Sequence, residues 1–233
     1  MTDTDTELLR IENVTRDYRQ GDQTVHALRN VSFTAARGEF IAIAGPSGSG
    51  KTTLLNLCAG LDHPTEGTVR LAGRDLSTMS RQQLADMRLR EVGFIFQAYN
   101  LIPVLSAEEN AEFILLLQGV PFAERRRRVR ALLHEVGLEG MESRRPGQLS
   151  GGQQQRVAVA RAIAAEPRLV LADEPTANLD STSSQQVIDL IASLNRDHGQ
   201  TIVMVTHERE YALGCHRIIH MEDGRIVNEE QLR

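Results

Sequence analysis

The sequence predicts an α/β fold with a mostly parallel central sheet, an N-terminal antiparallel β layer and a mainly helical insert. Three observations predict it. Continuous apolar runs at Phe40–Ala44, Val92–Phe96, Leu169–Ala172 and Thr201–Val205 read as short strands covered on both faces, which is how parallel sheets are buried. Helical stretches separate these runs, as parallel connections require. Each run then ends on a group suited to phosphate chemistry: a glycine-rich loop after Ala44, Gln97 after Phe96, Asp173-Glu174 after Ala172, and His207 after Thr206. Open α/β sheets bind their ligands at the carboxyl ends of the strands, so the four ends mark one candidate site.

The elements follow in order. Leu8 to Tyr18 and Ala27 to Thr34 read as strands of the antiparallel layer. Arg37-Gly-Glu39 turns the chain into the Phe40–Ala44 strand, and Lys51 to Ala59 reads as the helix after the glycine loop. Gly67 to Leu71 is a short strand, Ser80 to Arg90 a helix and Val92 to Phe96 a strand. From Ser106 the pattern is helical, opened by the capping box Ser106-Ala-Glu-Glu109. Glu124 to Val136, Ser150 to Ala165 and Ser181 to Asn195 are further helices. Arg217 to Val227 reads as a hairpin turning at Asp223-Gly224, a pair suited to a type I′ turn. Residues 1–233 form one domain, with 1–97 and 148–233 as the core lobe and 98–147 as the helical subdomain.

Bulk composition removes several classes. With 41% hydrophobic and 24% charged residues the chain is an ordinary soluble globular sequence. A formal net charge of −5 argues against a general nucleic-acid binder, and none is expected as a partner. Cys58 and Cys215 fit no zinc spacing and no disulfide framework; they suit a reducing cytoplasm and read as core thiols. No run approaches the ~20 apolar residues of a membrane span. Met1-Thr-Asp-Thr-Asp-Thr-Glu7 is polar and acidic, reads as a frayed start, and is no signal peptide.

Of the 26 Lys and Arg residues, only Lys51 is a lysine. It lies in Gly45-Pro-Ser-Gly-Ser-Gly-Lys51-Thr52, which matches G-x-x-x-x-G-K-[ST], the phosphate loop of nucleoside triphosphatases. A guanidinium is a wide planar fork, whereas an ammonium is a compact point charge that fits beneath a loop wrapped round a phosphate chain. A strand before and a helix after supply the setting the motif needs. The N–H groups of Gly48 to Thr52 would form an anion nest at a helix N-terminus. Lys51 would reach the β- and γ-phosphates, and the Thr52 hydroxyl would ligate Mg²⁺. The fold is thus a P-loop NTPase core.

Behind such a loop, Asp173 and Glu174 are more than a solvated acidic strand end. Asp173 would hold Mg²⁺ directly or through its waters, and Glu174 would polarise the attacking water. Leu149-Ser-Gly-Gly-Gln153 opens a helix with Ser150 as its cap. Two glycines there leave exposed N–H groups at a positive helix end, a second anion site about a hundred residues from the first. Two such sites in one chain hint that two chains meet head to tail.

These motifs together make the chain resemble the ATP-binding subunit of ABC transporters. Leu149–Gln153 matches that superfamily's LSGGQ signature, Gly45–Thr52 its Walker A loop and Leu169–Glu174 its Walker B strand. Gln97 matches the Q-loop, Asn178-Leu-Asp180 the D-loop and His207 the switch histidine, while Tyr18 matches the aromatic residue that stacks on adenine. The resemblance covers residues 8–228. It implies ATP and Mg²⁺ as cofactors, with Gly45, Pro46, Ser47, Gly48, Ser49, Gly50, Lys51, Thr52 and Thr53 binding nucleotide from one subunit, and Ser150, Gly151, Gly152 and Gln153 from the other. It implies that Glu174, His207, Gln97 and Lys51 serve hydrolysis, that His207 contacts the γ-phosphate, and that Gln97, with Thr52 and Asp173, touches the metal. Asp180 would bridge the two sites across the dimer. Ala172 and Glu208 stand where leucine and aspartate are commoner, and neither touches a chemical role.

The stretches Gly45–Lys51, Gln148–Gln155 and Leu171–Thr176 are similar to the ATPases of lipoprotein-releasing and macrolide-exporting complexes. That subgroup implies a separate permease with few membrane helices and a large extracytoplasmic domain, and a position on the inner face of the cell membrane. Gln97 to Pro103 would face the permease. Alternatives within the superfamily are an ATPase driving a cell-division or signalling complex and a soluble ATPase of DNA repair or translation; the latter is disfavoured by the absence of a coiled-coil insertion or zinc spacing. The run Arg125–Arg128 with Arg130 reads as a solvated face, the remaining histidines, such as His134 and His198, lack ligand spacing, and Phe94 and Phe96 read as core.

Overall fold

The computed structural model describes residues 7–21 and 23–233. The start at Met1–Thr6, expected to fray, lies outside the described residues. Two long strands, β1 (Glu7–Gln20) and β2 (Gln23–Ala36), pair antiparallel. Then come β3 (Phe40–Ala44), α1 (Lys51–Cys58), β4 (Glu66–Leu71), the two-residue β5 (Arg74–Asp75), α2 (Arg81–Glu91) and β6 (Val92–Ile95). Helices α3 (Ala107–Leu117), α4 (Phe122–Glu135) and α5 (Gly151–Ile163) precede β7 (Leu169–Asp173), α6 (Ser181–His198) and β8 (Thr201–Thr206). The short α7 (Arg209–Ala212) leads to the hairpin β9 (Arg217–Glu222) and β10 (Arg225–Gln231).

Two sheets result. The antiparallel one runs β2-β1-β4-β5, and the six-stranded one runs β10-β9-β3-β8-β7-β6, parallel throughout except β10. Period-two geometry explains the unbroken apolar runs. Ile41 and Ile43 of β3, Leu169 and Leu171 of β7, and Val203 and Val205 of β8 pack with α1 and the antiparallel sheet. Phe40, Ala42, Val170, Ala172, Ile202 and Met204 face the other way, onto α5 and α6. A third apolar cluster joins α3 and α4 to Val157 and Ala160 of α5. Cys58 and Cys215 are buried in these cores, and burial pushes both thiols up to about 12.

Helix ends follow their caps. Ser80, Ser106 and Ser150 each close a capping box, with Gln83, Glu109 and Gln153. At the β9–β10 turn, Asp223 and Gly224 both have positive φ, 46° and 75°, as a type I′ turn demands. Four features were not expected from the sequence. The register of β1 on β2 shifts near Asn13 and Asn30, which take φ of 50° and 54°. Strand β5 closes the antiparallel sheet edge, and β10 runs four residues beyond Val227. The arginine run keeps Arg126, Arg127 and Arg130 exposed, as a solvated face requires, but most of it is also ion-paired. Arg126 and Arg130 both bind Glu108 of α3, Arg125 binds Glu112, and Arg128 binds Glu124.

Candidate functional site

The loop after β3 owes its shape to close packing. Gly50 caps α1 with φ 96° and lies against the backbone of β2, where a Cβ would stand 2.4 Å from the Ala27 carbonyl oxygen. The tip of the β9–β10 hairpin supports the loop from beneath: Gly224 N–H donates to Ser49 O at 3.2 Å. Lys51 is 5% exposed, and its ammonium donates to Gly45 O at 2.9 Å and Pro46 O at 2.7 Å. The buried Ser49 hydroxyl has no hydrogen-bond partner among the described residues. A loop of this form, with N–H groups at a helix start and a poised ammonium, suits a polyphosphate.

The other strand ends converge on it. The Thr52 hydroxyl donates to Asp173 Oδ1 at 3.1 Å, across 121 positions of sequence. Burial raises the Asp173 carboxyl above its ordinary value; neighbouring Glu174 adds to this, while Thr52 and Lys51 oppose it. A hydroxyl beside a carboxylate disfavoured in its charged form fits a hard cation. Among the described residues no cluster of three or more His, Cys, Asp or Glu forms a metal cage.

Glu174 is the first residue past β7 and adopts φ 45°, a left-handed conformation uncommon for any residue but glycine. Its N–H donates to Val205 O at 3.0 Å, which ties it to β8. His207, just past β8, brings Nδ1 to 3.7 Å from Glu174 Oε2, with Glu208 Oε1 3.9 Å from its Nε2. So Lys51, Thr52, Asp173, Glu174 and His207 form one cluster at the carboxyl end of the parallel sheet.

The remaining candidates make no described hydrogen bond or ion pair to this cluster. Gln97 is exposed, and its carbonyl accepts from Asn178 Nδ2 at 3.0 Å. Tyr18 donates its hydroxyl to Asp62 at 2.7 Å, while Arg16 binds Asp62 through two nitrogens at 2.9 and 2.8 Å and covers the Tyr18 ring at 4.4 Å. Burial pushes Asp62 up, but the bonds from Tyr18, the His63 N–H and Arg16 outweigh it and hold the carboxyl below its ordinary range. Ser150 to Gln153 begin α5, and no described hydrogen bond joins them to the phosphate loop of the same chain. Asp180 caps α6 through Ser183 N–H at 3.0 Å.

Comparison with known proteins decides the family. The family model described as ABC transporter matches residues 28–177. The chain belongs to the ABC transporter family. Among ABC relatives, a macrolide export ATP-binding/permease protein MacB of Brucella melitensis is 45% identical over 97% of this chain, and the match spans 35% of that protein's length. The chain thus spans about a third of the MacB-type relatives it matches. An uncharacterized ABC transporter ATP-binding protein of Thermotoga maritima is 46% identical, with 96% of this chain and 95% of that one covered. The ATP-binding cassette MJ0796 of Methanocaldococcus jannaschii, solved as a post-hydrolysis dimer bound to ADP and Pi, superposes with a TM-score of 0.90 at 42% identity, covering 97% of this ABC chain and 99% of that one.

Two parts of the site escaped the sequence reading. The support of Ser49 by Gly224 pairs residues far apart in sequence, and no local pattern announces it. Asp62 and Arg16 lie 46 positions apart, and only the Tyr18 hydroxyl, a polar handle seeking a partner, hinted that something must hold that ring.

Proposed function

We propose that this chain is the ATP-hydrolysing subunit of an ABC transporter, acting as a head-to-tail dimer that drives an integral membrane permease. The observation that carries the reading is the meeting of three strand ends, which sets Lys51, Thr52, Asp173, Glu174 and His207 in one cluster. Lys51 and the loop N–H groups from Gly45 to Thr53 would bind the ATP phosphates. Thr52 and Asp173, with Gln97, would hold Mg²⁺, which when bound neutralises charge on the phosphate oxygens. Glu174 would take the proton of the attacking water, and His207 would face the γ-phosphate. Tyr18 would stack on the adenine.

The dimer rests on the separation of the two anion sites. Ser150, Gly151, Gly152 and Gln153 would complete the partner's nucleotide site, with Asp180 at the junction, and MJ0796 is solved as a dimer. A permease is supported by the MacB relatives, whose name joins ATP binding to a permease and macrolide export. No helix among the described residues is long and apolar enough to cross a membrane. A docking place is offered by an apolar groove of about 300 Å³, lined by Val92, Phe94, Phe96, Ile102, Phe113 and Ile114. It adjoins Gln97 and lies between the core lobe (1–97 and 148–233) and the helical subdomain (98–147). The subunit would sit peripherally on the inner face of the cell membrane.

The test is Glu174→Gln, tagged and purified from native membranes with Mg·ATP. Hydrolysis is expected to fall by roughly 10²–10⁴-fold, with an ATP-bound dimer trapped and a membrane subunit co-purifying. Normal turnover removes Glu174 from the hydrolytic role. Soluble partners alone, with the dimer intact, overturn the transport reading.

A further inference from the structure

The run Gln153-Gln-Gln155 repeats one residue type, yet its members do different things. Gln153 closes the helix cap, and Gln154 donates to Leu149 O at 3.1 Å. Gln155 is wholly buried, and its Nε2 donates to Pro175 O at 2.7 Å and to Phe96 O at 3.3 Å. Pro175 follows Glu174 directly, and Phe96 directly precedes Gln97. One side chain therefore joins α5, whose first turn carries Ser150 to Gln153, to the backbone beside two residues of the proposed hydrolytic site.

Two facts show that this is more than packing. Gln155 Oε1 is buried and accepts from no described residue. An apolar side chain of similar length would fill the space without a lone buried carbonyl, so packing alone does not favour an amide. Both groups facing the nitrogen are carbonyl oxygens, so only a donor satisfies them. The second fact is the left-handed backbone of Glu174, which persists only when neighbouring structure over-determines it. It is fixed on three sides: its N–H by Val205 O at 3.0 Å, its own carbonyl by Ala177 N–H at 3.2 Å, and the next carbonyl by Gln155.

We propose that Gln155 is a positioning residue for hydrolysis. It locks the aim of Glu174 and the backbone of Gln97 to the register of α5, and so sets turnover while leaving nucleotide affinity alone. The inference rests on the reading of Glu174 as the hydrolytic carboxylate.

The experiment uses the full chain as wild type, Gln155→Met and Gln155→Glu. It measures steady-state ATP hydrolysis, ATP affinity, the thermal midpoint, and hydrogen exchange in segments 96–97 and 174–178. For Gln155→Met, kcat is expected to fall roughly tenfold to a hundredfold, as misplacement of a reacting group does. ATP Kd should stay within about twofold, the midpoint should fall because the Pro175 and Phe96 carbonyls lose their donor, partly offset as the lone buried oxygen goes too, and exchange should rise in those two segments only. Should the Met variant fold poorly, Gln155→Glu decides: its carboxyl donates only when neutral, so its kcat relative to wild type should recover as pH is lowered. A Met variant with wild-type kcat overturns the proposal, as does a Glu variant with no recovery on acidification. A wild-type chain that binds ATP without hydrolysing it would instead overturn the hydrolytic reading, and this one with it.

Discussion

Gly50→Ala tests how the phosphate loop is held. Gly50 has φ 96° and ψ 3°, and a left-handed conformation costs an L-residue about 1–2 kcal/mol. The new Cβ would stand 2.4 Å from Ala27 O and 2.9 Å from Leu28 Cδ2. Reaching ordinary C···O contact at about 3.3 Å needs close to 1 Å of movement. Strand β2 cannot yield freely, because Leu28 is buried and pairs with Arg16 of β1. Overpacking of this kind costs about 1–3 kcal/mol, so the total is roughly 2–5 kcal/mol. For a chain of this size that lowers the thermal midpoint by roughly 5–15 °C. If the loop moves instead, at least one N–H bond to phosphate is lost, worth about 1.5–3 kcal/mol or about tenfold to a hundredfold in ATP affinity. Gly48→Ala is the control: φ is 79°, yet nothing lies within 4 Å of its Cβ, so only the backbone term applies to stability. Scanning fluorimetry and titration calorimetry read both variants. Equal midpoints for the two would refute the steric argument.

Three further outcomes follow from the same geometry. Lys51→Arg should reduce ATP turnover about a hundredfold despite the kept charge, because a planar fork cannot occupy the buried point between Gly45 O and Pro46 O; unchanged kcat/KM would sink the size argument. Asp62→Asn should release Arg16 and loosen Tyr18, weakening ATP binding several-fold while tripolyphosphate binds as before; equal losses for both ligands would remove Tyr18 from the base platform. Glu108→Gln tests pH dependence: burial pushes Glu108 up, but Arg126 and Arg130 outweigh it, so its folded value lies below the ordinary 4.5. A lowered carboxylate contributes stability above the unfolded value and loses it as pH falls through the folded one. The variant should lose roughly 1–2 kcal/mol near neutral pH, discounted because both arginines are about half exposed, and its stability should fall less steeply than wild type below about pH 4.5; parallel acid profiles would contradict the assignment.

The parallel core was legible because burial on both faces leaves a plain mark: Phe40–Ala44 and Leu169–Ala172 are apolar at every position, and alternate residues feed two different clusters. Caps were legible because Ser80, Ser106 and Ser150 meet their partners three residues on. What escaped depends on distant chain. Asn13 and Asn30 take positive φ inside strands, a habit asparagine tolerates, but their placement is set by pairing across the sheet. The pairing of the arginine run was not legible because a single helix shows only its own faces. The stripe Glu108 and Glu112 on α3 and the stripe Arg126 and Arg130 on α4 were both visible, four residues apart each, yet their meeting is a tertiary fact. The three consecutive glutamines were indistinguishable by letter. Only the helical spacing of Gly152, Gln155 and Val159, all buried, separates Gln155 from its neighbours.

The segment after β6 shows why such side chains matter to the proposed function. Four carbonyls there accept side-chain donors: Phe96 from Gln155, Gln97 from Asn178, and Tyr99 and Asn100 from Arg161. Two of the three donors belong to α5, and the third lies in the turn after β7. An irregular segment held this way has no ladder of its own and must follow the elements that grip it. The same segment borders the apolar groove on one side and, through the Gln97 carbonyl and Asn178, is tied to the turn after Glu174 on the other. A permease seated in the groove would therefore act on α5 and on the turn after Glu174 together, since the donors that hold the segment are anchored in both. Substituting Arg161 should loosen the groove side and substituting Asn178 the hydrolytic side, whereas Gln155 touches both. Its substitution is the one expected to uncouple permease-stimulated from basal hydrolysis while lowering each.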